Sequence, residues 1–316
     1  MNKKQIIGNT FLLMTAIIWG LAFVAQRVGM DYVGPLTFTG SRFWLATLVL
    51  IPVVYFNNKS EKKALPDSDS KEMTKEESAD ERKKLLTAGI ICGTILFIAS
   101  ILQQYGLVFT SAGKTGFITA LYIIIVPVFG LFLKRRLGIK GWIGVVFGVI
   151  GLYMLTITES FTIAKGDFVV LIGAFFWAGH VLAIDFFVSR VNSVKLALTQ
   201  FAVVSILGTI TMFIFENPDW SNLVSCAVPI LYSGILSGGV AFTFQILGQR
   251  NTSPTVAALI LSMEAVFGAI FGFLILEEIM TSRELLGCVL MFAAIIISQL
   301  PNKQIPVTMN EEHKEV

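Results

Sequence analysis

Apolar residues along this 316-residue chain fall into blocks of about twenty, set apart by short polar breaks. At about 1.5 Å per helical residue, a block of that length crosses the roughly 30 Å hydrocarbon core of a bilayer. Ten blocks are legible, at 9–29, 36–56, 85–108, 115–133, 140–158, 167–187, 196–215, 227–248, 256–276 and 284–300. Lipid offers the backbone no hydrogen-bond partners, so each block must satisfy its own peptide groups as a helix. A transmembrane β-barrel would show alternating segments of about ten residues, and this pattern is absent. The expected fold class is an all-α integral membrane protein with ten transmembrane helices.

Charge adds an orientation. Only 14% of the residues are charged, against roughly 25% in soluble proteins. Of the 45 Asp, Glu, Lys and Arg residues, 16 lie between Asn57 and Lys84. That polar stretch reads as a flexible or partly helical linker, with a regulatory or partner-binding role as the alternative. Ten spans put both termini on one side, and 19 of the 24 Lys and Arg residues fall there. The positive-inside bias therefore predicts cytoplasmic termini in the plasma membrane. The basic residues are spread over short loops, which argues against nucleic acid as a partner. The first block continues without a small-residue cleavage pattern and reads as a retained span. Cys92 and Cys288 read as packing residues, and Cys226 as a loop or helix-end residue.

The chain also repeats itself. "GNTFLLMTAIIWG" (8–20) aligns with "GDFVVLIGAFFWA" (166–178) at an offset of 158, and the same offset lays "SRF" (41–43) on "TQF" (199–201). "QQYGLVFTS" (103–111) matches "QILGQRNTS" (245–253) at offset 142, and "VPVFG" (126–130) then matches "EAVFG" (264–268). The expected units are 1–158, with the charged 57–84 loop, and 159–303, followed by a tail at 304–316. Each holds five spans. Five is odd, so the second unit enters from the opposite face, giving the inverted repeat typical of secondary transporters. A duplicated scaffold without transport is the alternative.

The motifs "AIIWG" (16–20), "AFFWAGH" (174–180), "GFITALYIIIVPVFG" (116–130) and "NTSPTVAALILSMEAVFGAIFGFLILEE" (251–278) resemble the EamA-like transporters of the drug/metabolite transporter superfamily. The resemblance implies a central cavity lined by helices 1, 3, 4, 6, 8 and 9, with helices 5 and 10 peripheral. It implies transport, mostly export, of amino acids and related metabolites, nucleotide-sugars, sugar phosphates or drugs. Two positions depart from the pattern. Glu264-Ala265 stands where the family reads glutamate-proline, although Pro127 is present in the first half. Lys134 stands where the fourth span commonly ends in glutamate, and only the second half has its acidic end, at Glu277 and Glu278.

Polar residues inside the spans are the candidate site, because intramembrane ionisable groups usually face a bundle interior or a wet cavity. Glu264 is the deepest carboxylate, about 12 Å into the ninth block at helical rise. It faces either the cavity or a fixed structural partner. His180 follows Trp177 by three on one helix face, and either binds substrate and relays a proton or bonds a carbonyl. Arg42 either attracts an anionic substrate group or snorkels outward. Trp19 and Trp177 meet the midplane as repeat mates, forming cavity walls or helix packing. Gln103 and Gln245 are repeat mates suited to gates or to interhelical bonds. Tyr122 and Gln200 complete the candidates. "GVVFG" (144–148) and "GAIFG" (268–272) read as small-residue faces that pack helices within one chain.

There is no Gly-x-x-x-x-Gly-Lys-Ser/Thr loop, no metal-ligand spacing and no nucleophile set. No enzyme activity, cofactor or metal is expected. The sequence therefore predicts a secondary transporter of small, amino-acid-like or amphipathic metabolites, an exporter with a midplane cavity, acting as a monomer or weak dimer in the lipid bilayer. For proton coupling, Glu264 is the first candidate carrier and His180 the second. A multidrug or nucleotide/sugar-derivative carrier of the same fold is the alternative, followed by a channel, receptor or scaffold.

Overall fold

The computed structural model describes residues 3–64, 75–109, 112–134, 137–156, 165–276 and 281–300. The described residues are helices and their connections. They are α1 (Lys3–Gly29), α2 (Pro35–Ala64), α3 (Lys75–Phe109), α4 (Ala112–Ala120), α5 (Tyr122–Phe132), α6 (Ile139–Thr156) and α7 (Lys165–Phe187). There follow α8 (Ser193–Phe215), α9 (Trp220–Ser225), α10 (Ala227–Leu231), a π-helical stretch (Tyr232–Ala241), α11 (Phe242–Gln249), α12 (Pro254–Leu261), α13 (Glu264–Leu276) and α14 (Ser282–Gln299). Among the described residues, nine helical stretches are long and apolar enough to cross a bilayer, and Ile139–Leu155 is a shorter apolar helix. The charged 57–84 segment is helical on both flanks, because α2 runs on to Ala64 and α3 starts at Lys75. Its centre, like Glu277 and Glu278, lies outside the described residues.

The ends are set by local chemistry. The Asn192 side chain accepts the backbone N–H groups of Val194 and Lys195 at the start of α8. Thr281 and Glu284 form a reciprocal capping box on α14. The start of α2 is closed from the other half of the chain. Both Glu216 carboxylate oxygens accept from it, taking Leu36 N–H (2.9 Å), Thr37 N–H (2.8 Å) and the Thr37 hydroxyl (2.6 Å). A carboxylate there meets both the free N–H groups and the positive helix end.

The packing between halves follows the repeat. Helix α1 lies on the π stretch, α11, α12 and α13; its counterpart α7 lies on α3, α4 and α5. Helix α2 packs on its own mate α8, and α6 on its mate α14. Apolar area gains nothing from leaving lipid, so these contacts depend on close approach and on polar links. Glycine supplies the approach. A Cβ on Gly8 would lie 2.8 Å from the Gly248 carbonyl, and one on Gly166 would lie 3.1 Å from that of Gly106. These two crossings are repeat mates. On the α6–α14 pair, a Cβ on Gly287 would meet the Gly151 carbonyl at 2.6 Å and Leu155 N at 2.7 Å. Gly144 approaches Ala294 in the same way, and Gly268 backs onto Gly20, so both small-residue motifs pack helices within the chain. Polar links across α2 and α8 join Trp44 to Thr209 (2.8 Å) and Thr47 to Ser205 (3.2 Å).

Gly287→Ala should therefore destabilise the protein by about 1–3 kcal/mol, because backbone on the facing helix cannot yield to the new methyl. Gly179→Ala, whose Cβ would stand 3.8 Å from its nearest neighbour, Ile95, should be neutral or stabilising by up to about 1 kcal/mol. Thermal unfolding of the two variants in detergent checks both.

Candidate functional site

Both halves break a helix at the bundle centre. In the first half the break falls between α4 and α5. Leu121 N–H bonds Ile118 O, and Ile124 N–H bonds Leu121 O, both in the tighter i to i−3 pattern. Pro127 lies six residues on, without an N–H and with its ring against the turn below. The second half breaks at Ser262–Met263 without a proline. The Ser262 hydroxyl donates to Leu259 O (2.8 Å), and the ladder tightens to i−3 at Met263 and Ala265. Glu264 is thus the first residue of α13 and, ten residues after Pro254, lies about 15 Å along the span, near the midplane.

These breaks open onto one small cavity. It is lined by Trp19, Phe23 and Gln26 of α1, Arg42 of α2, Gln103 of α3 and Thr119 of α4, with Tyr122, Trp177, Ser237, Phe242 and Glu264. The lining draws on the six spans that the resemblance implies, with Arg42 of the second span added; α6, α8 and α14 contribute no residue to it. Its volume is about 30 Å³, space for about one or two water molecules. A metabolite enters only if the bundle widens here.

Two ionisable side chains of opposite type, Glu264 and Arg42, share this cavity. Glu264 is 4% exposed and accepts one long bond from the Tyr122 hydroxyl (3.4 Å). Arg42, also 4% exposed, does not snorkel. One guanidinium nitrogen donates to Gln26 Oε1 (3.0 Å), and its centre stands 5.0 Å from the Phe43 ring and 5.7 Å from the Phe38 ring. Among the described residues no carboxylate lies within 4 Å of Arg42, and its Nε has no partner. Charges buried this deep are costly unless matched.

An aromatic cluster floors the cavity. Phe242 stands 4.7 Å from Trp19, 6.1 Å from Trp177, 5.9 Å from Phe43 and 5.9 Å from Phe201, ring centre to ring centre. Trp19 and Trp177 stand 6.4 Å apart, as their repeat positions predict. The Trp19 indole donates to Ser237 O (3.3 Å), while the Trp177 indole N–H has no partner among the described residues. The π stretch makes this floor possible. Its wide turns leave carbonyls in reach of side chains, so Ala241 O accepts from Thr15 (2.9 Å) while Ser237 O takes Trp19.

Of the nine candidates, Glu264, Trp19, Trp177, Arg42, Gln103 and Tyr122 come together around the cavity. His180, Gln245 and Gln200 do not line it. His180 is fully buried beyond Phe242 (ring centres 6.1 Å apart), with Nε2 3.1 Å from Gln200 Oε1. Gln245 lies one turn past Phe242, 1% exposed. Sequence reasoning missed Phe23, Gln26, Thr119, Ser237 and Phe242. Gln26 is a polar residue within the first apolar block and could have been marked beside Arg42. Phe242 is one of 26 phenylalanines and carries no signal of its own.

Comparison with known proteins agrees with this architecture. The model of the EamA-like transporter family matches residues 6–157 and again 164–300. An uncharacterized transporter of Archaeoglobus fulgidus is 26% identical over 298 residues, covering 94% of this chain and 87% of that protein. The uncharacterized transporter YoaV of Bacillus subtilis is 24% identical, covering 91% and 94%. The uncharacterized inner membrane transporter YedA of Escherichia coli is 23% identical, covering 94% and 93%. A crystal structure with 17% identity superposes at a TM-score of 0.74 over 93% of this chain and 96% of its own, which speaks for the fold alone. This chain, a multi-pass membrane protein and a transporter rather than an enzyme, belongs to the EamA-like transporter family.

Proposed function

We propose that this transporter exports small zwitterionic, amino-acid-like solutes across the cytoplasmic membrane by alternating access, with both termini inside. The observation that carries the reading is the pair of unmatched opposite charges in one cavity, Arg42 and Glu264. A substrate bearing both a carboxylate and an ammonium supplies each with its counter-charge, through charge-assisted hydrogen bonds. The Trp19, Trp177 and Phe242 rings offer apolar and cation–π contact to the rest of the molecule. A narrower observation favours a cationic drug as the second reading, since aromatic walls beside Glu264 also suit a lone cation. Arg42 opposes it.

Thermal-shift competition with amino acids, nucleosides, sugars and cationic amphiphiles separates these. Free amino acids should raise the melting temperature, by about 2.7 kcal/mol of stabilisation at a hundred times Kd. Their N-acetyl and methyl-ester forms, each lacking one charge, should not. Stabilisation by cationic amphiphiles alone would move the assignment to the second reading.

Arg42→Gln should weaken binding of the stabilising amino acid by about 30-fold or more, the scale expected when one member of a buried charge contact is lost. Isothermal titration checks it, and unchanged affinity would remove Arg42 from the site.

Glu264→Gln should abolish pH-gradient-driven accumulation in proteoliposomes while leaving exchange of labelled for unlabelled substrate. Gradient dependence that survives the substitution would remove Glu264 as the proton carrier.

A further inference from the structure

The geometry points to a second polar half-site, made by His180, Gln200 and Gln245 beyond the aromatic floor, which receives the polar head of the substrate when the bundle opens on the other side. This rests on the alternating-access reading above. Repeat offsets bring the residues together first. Gln200 occupies the place of Arg42 and Gln245 the place of Gln103, while the cavity side has both Arg42 and Gln103. The polar pair that bridges the first and second spans, Gln26 to Arg42 (3.0 Å), has an analogue bridging the sixth and seventh, His180 to Gln200 (3.1 Å), with His180 one turn before the exact mate of Gln26, Ile184.

The packing places the third member beside these two. Phe242 touches His180 on one side and forms a cavity wall on the other. Gln245 follows it by one turn, and Gln249 by two, where its side-chain amide donates to Val181 O (2.8 Å). Helix α11 therefore runs along α7 from Trp177 to Val181, with Gln245 between the two anchored turns. It also packs against α8, which carries Gln200.

The hydrogen-bonding capacity of the trio is unspent. His180 and Gln200 are 0% exposed and Gln245 is 1% exposed. Nevertheless, His180 Nδ1, Gln200 Nε2 and Gln245 Oε1 have no partner among the described residues. Buried polar atoms are almost always satisfied, and a cluster of unsatisfied ones calls for a reason. Here the reason is a second conformation. Three buried polar side chains from three helices lie behind a ring of aromatics, and two of them, Gln200 and Gln245, are the inversion-related images of groups that already line a cavity, Arg42 and Gln103.

The two half-sites differ in charge. Arg42 holds a carboxylate with a fixed cation, whereas Gln200 offers only a neutral amide. The ligand chemistry of the second half-site is therefore a hydrogen-bonding head, a carboxylate or amide, held less tightly than at Arg42.

Cysteine reactivity tests this without knowledge of the substrate. Gln103→Cys, Gln200→Cys and Gln245→Cys are made singly in the full chain with Cys92, Cys226 and Cys288 replaced by alanine. Each is probed in sealed membrane vesicles of either orientation with a charged, membrane-impermeant methanethiosulfonate. Gln200→Cys and Gln245→Cys should react at least tenfold faster from the face that carries the termini, and Gln103→Cys at least tenfold faster from the opposite face. The two variants behind the floor are read independently, so loss of one to misfolding leaves the other to decide. If both stay unreactive from either face while Gln103→Cys reacts, the half-site is overturned and the transport reading stands. Reaction of all three from both faces marks a continuous pore and overturns the alternating-access reading together with the half-site.

Discussion

The centre of this protein depends on how closely two backbones can approach without water or side chains between them. Among the described residues, glycine faces glycine across the halves at Gly8–Gly248, Gly20–Gly268, Gly40–Gly208, Gly106–Gly166 and Gly151–Gly287. In lipid, burial of apolar surface brings helices together only weakly, so contact distance and polar links decide the packing. With the halves this close, α1 and α7 can pass each other at Trp19 and Trp177, and the two broken helices can bring Tyr122 and Glu264 to one place. A methyl group at most of these crossings would displace the surrounding lining.

On this symmetric backbone the side chains are not symmetric. Glu264 stands where the first half has Val126, and Arg42 where the second has Gln200. Phe242 answers to Ser100, and His180 to Ala22. Each exchange puts charge or bulk on one side and a small or neutral group on the other. Arg42 and Glu264 both line the cavity, while among the described residues Gln200, Gln245 and His180 lie on the far side of Phe242. Duplication supplied two equivalent frames, and single residues give them different chemistry.

Much of the frame is legible in the sequence because it follows from transfer free energy and the 3.6-residue period. Ten apolar blocks, their repeat offsets and the meeting of Trp19 with Trp177 all come from pattern alone. The broken ninth span does not. Ala265 stands where the family's proline would mark a kink, and the helix breaks at the Ser262 hydroxyl, whose choice of carbonyl depends on three-dimensional surroundings. The π turns of Tyr232–Ala241 are likewise hidden, since "YSGILSGGVA" reads as a small-residue helix until its wide ladder is seen. At the site, charge marked Glu264 and Arg42 from the start. Phe242 could not be picked out from composition, because its importance is positional. Glu216, near the end of a span, gave no sign that its carboxylate would close a helix 180 residues away.

Some contacts lie on the axis of the repeat itself. Thr47 and Ser205, Phe43 and Phe201, and Trp19 and Trp177 are each their own mates at the offset of 158. Swapping the conformations of the two halves carries the contacts of α1 onto those of α7 and vice versa. It carries these three pairs onto themselves. In the proposed exchange they would be the fixed points, and α2 with α8, tied by Trp44–Thr209 and by Glu216, would be the fulcrum for the other spans.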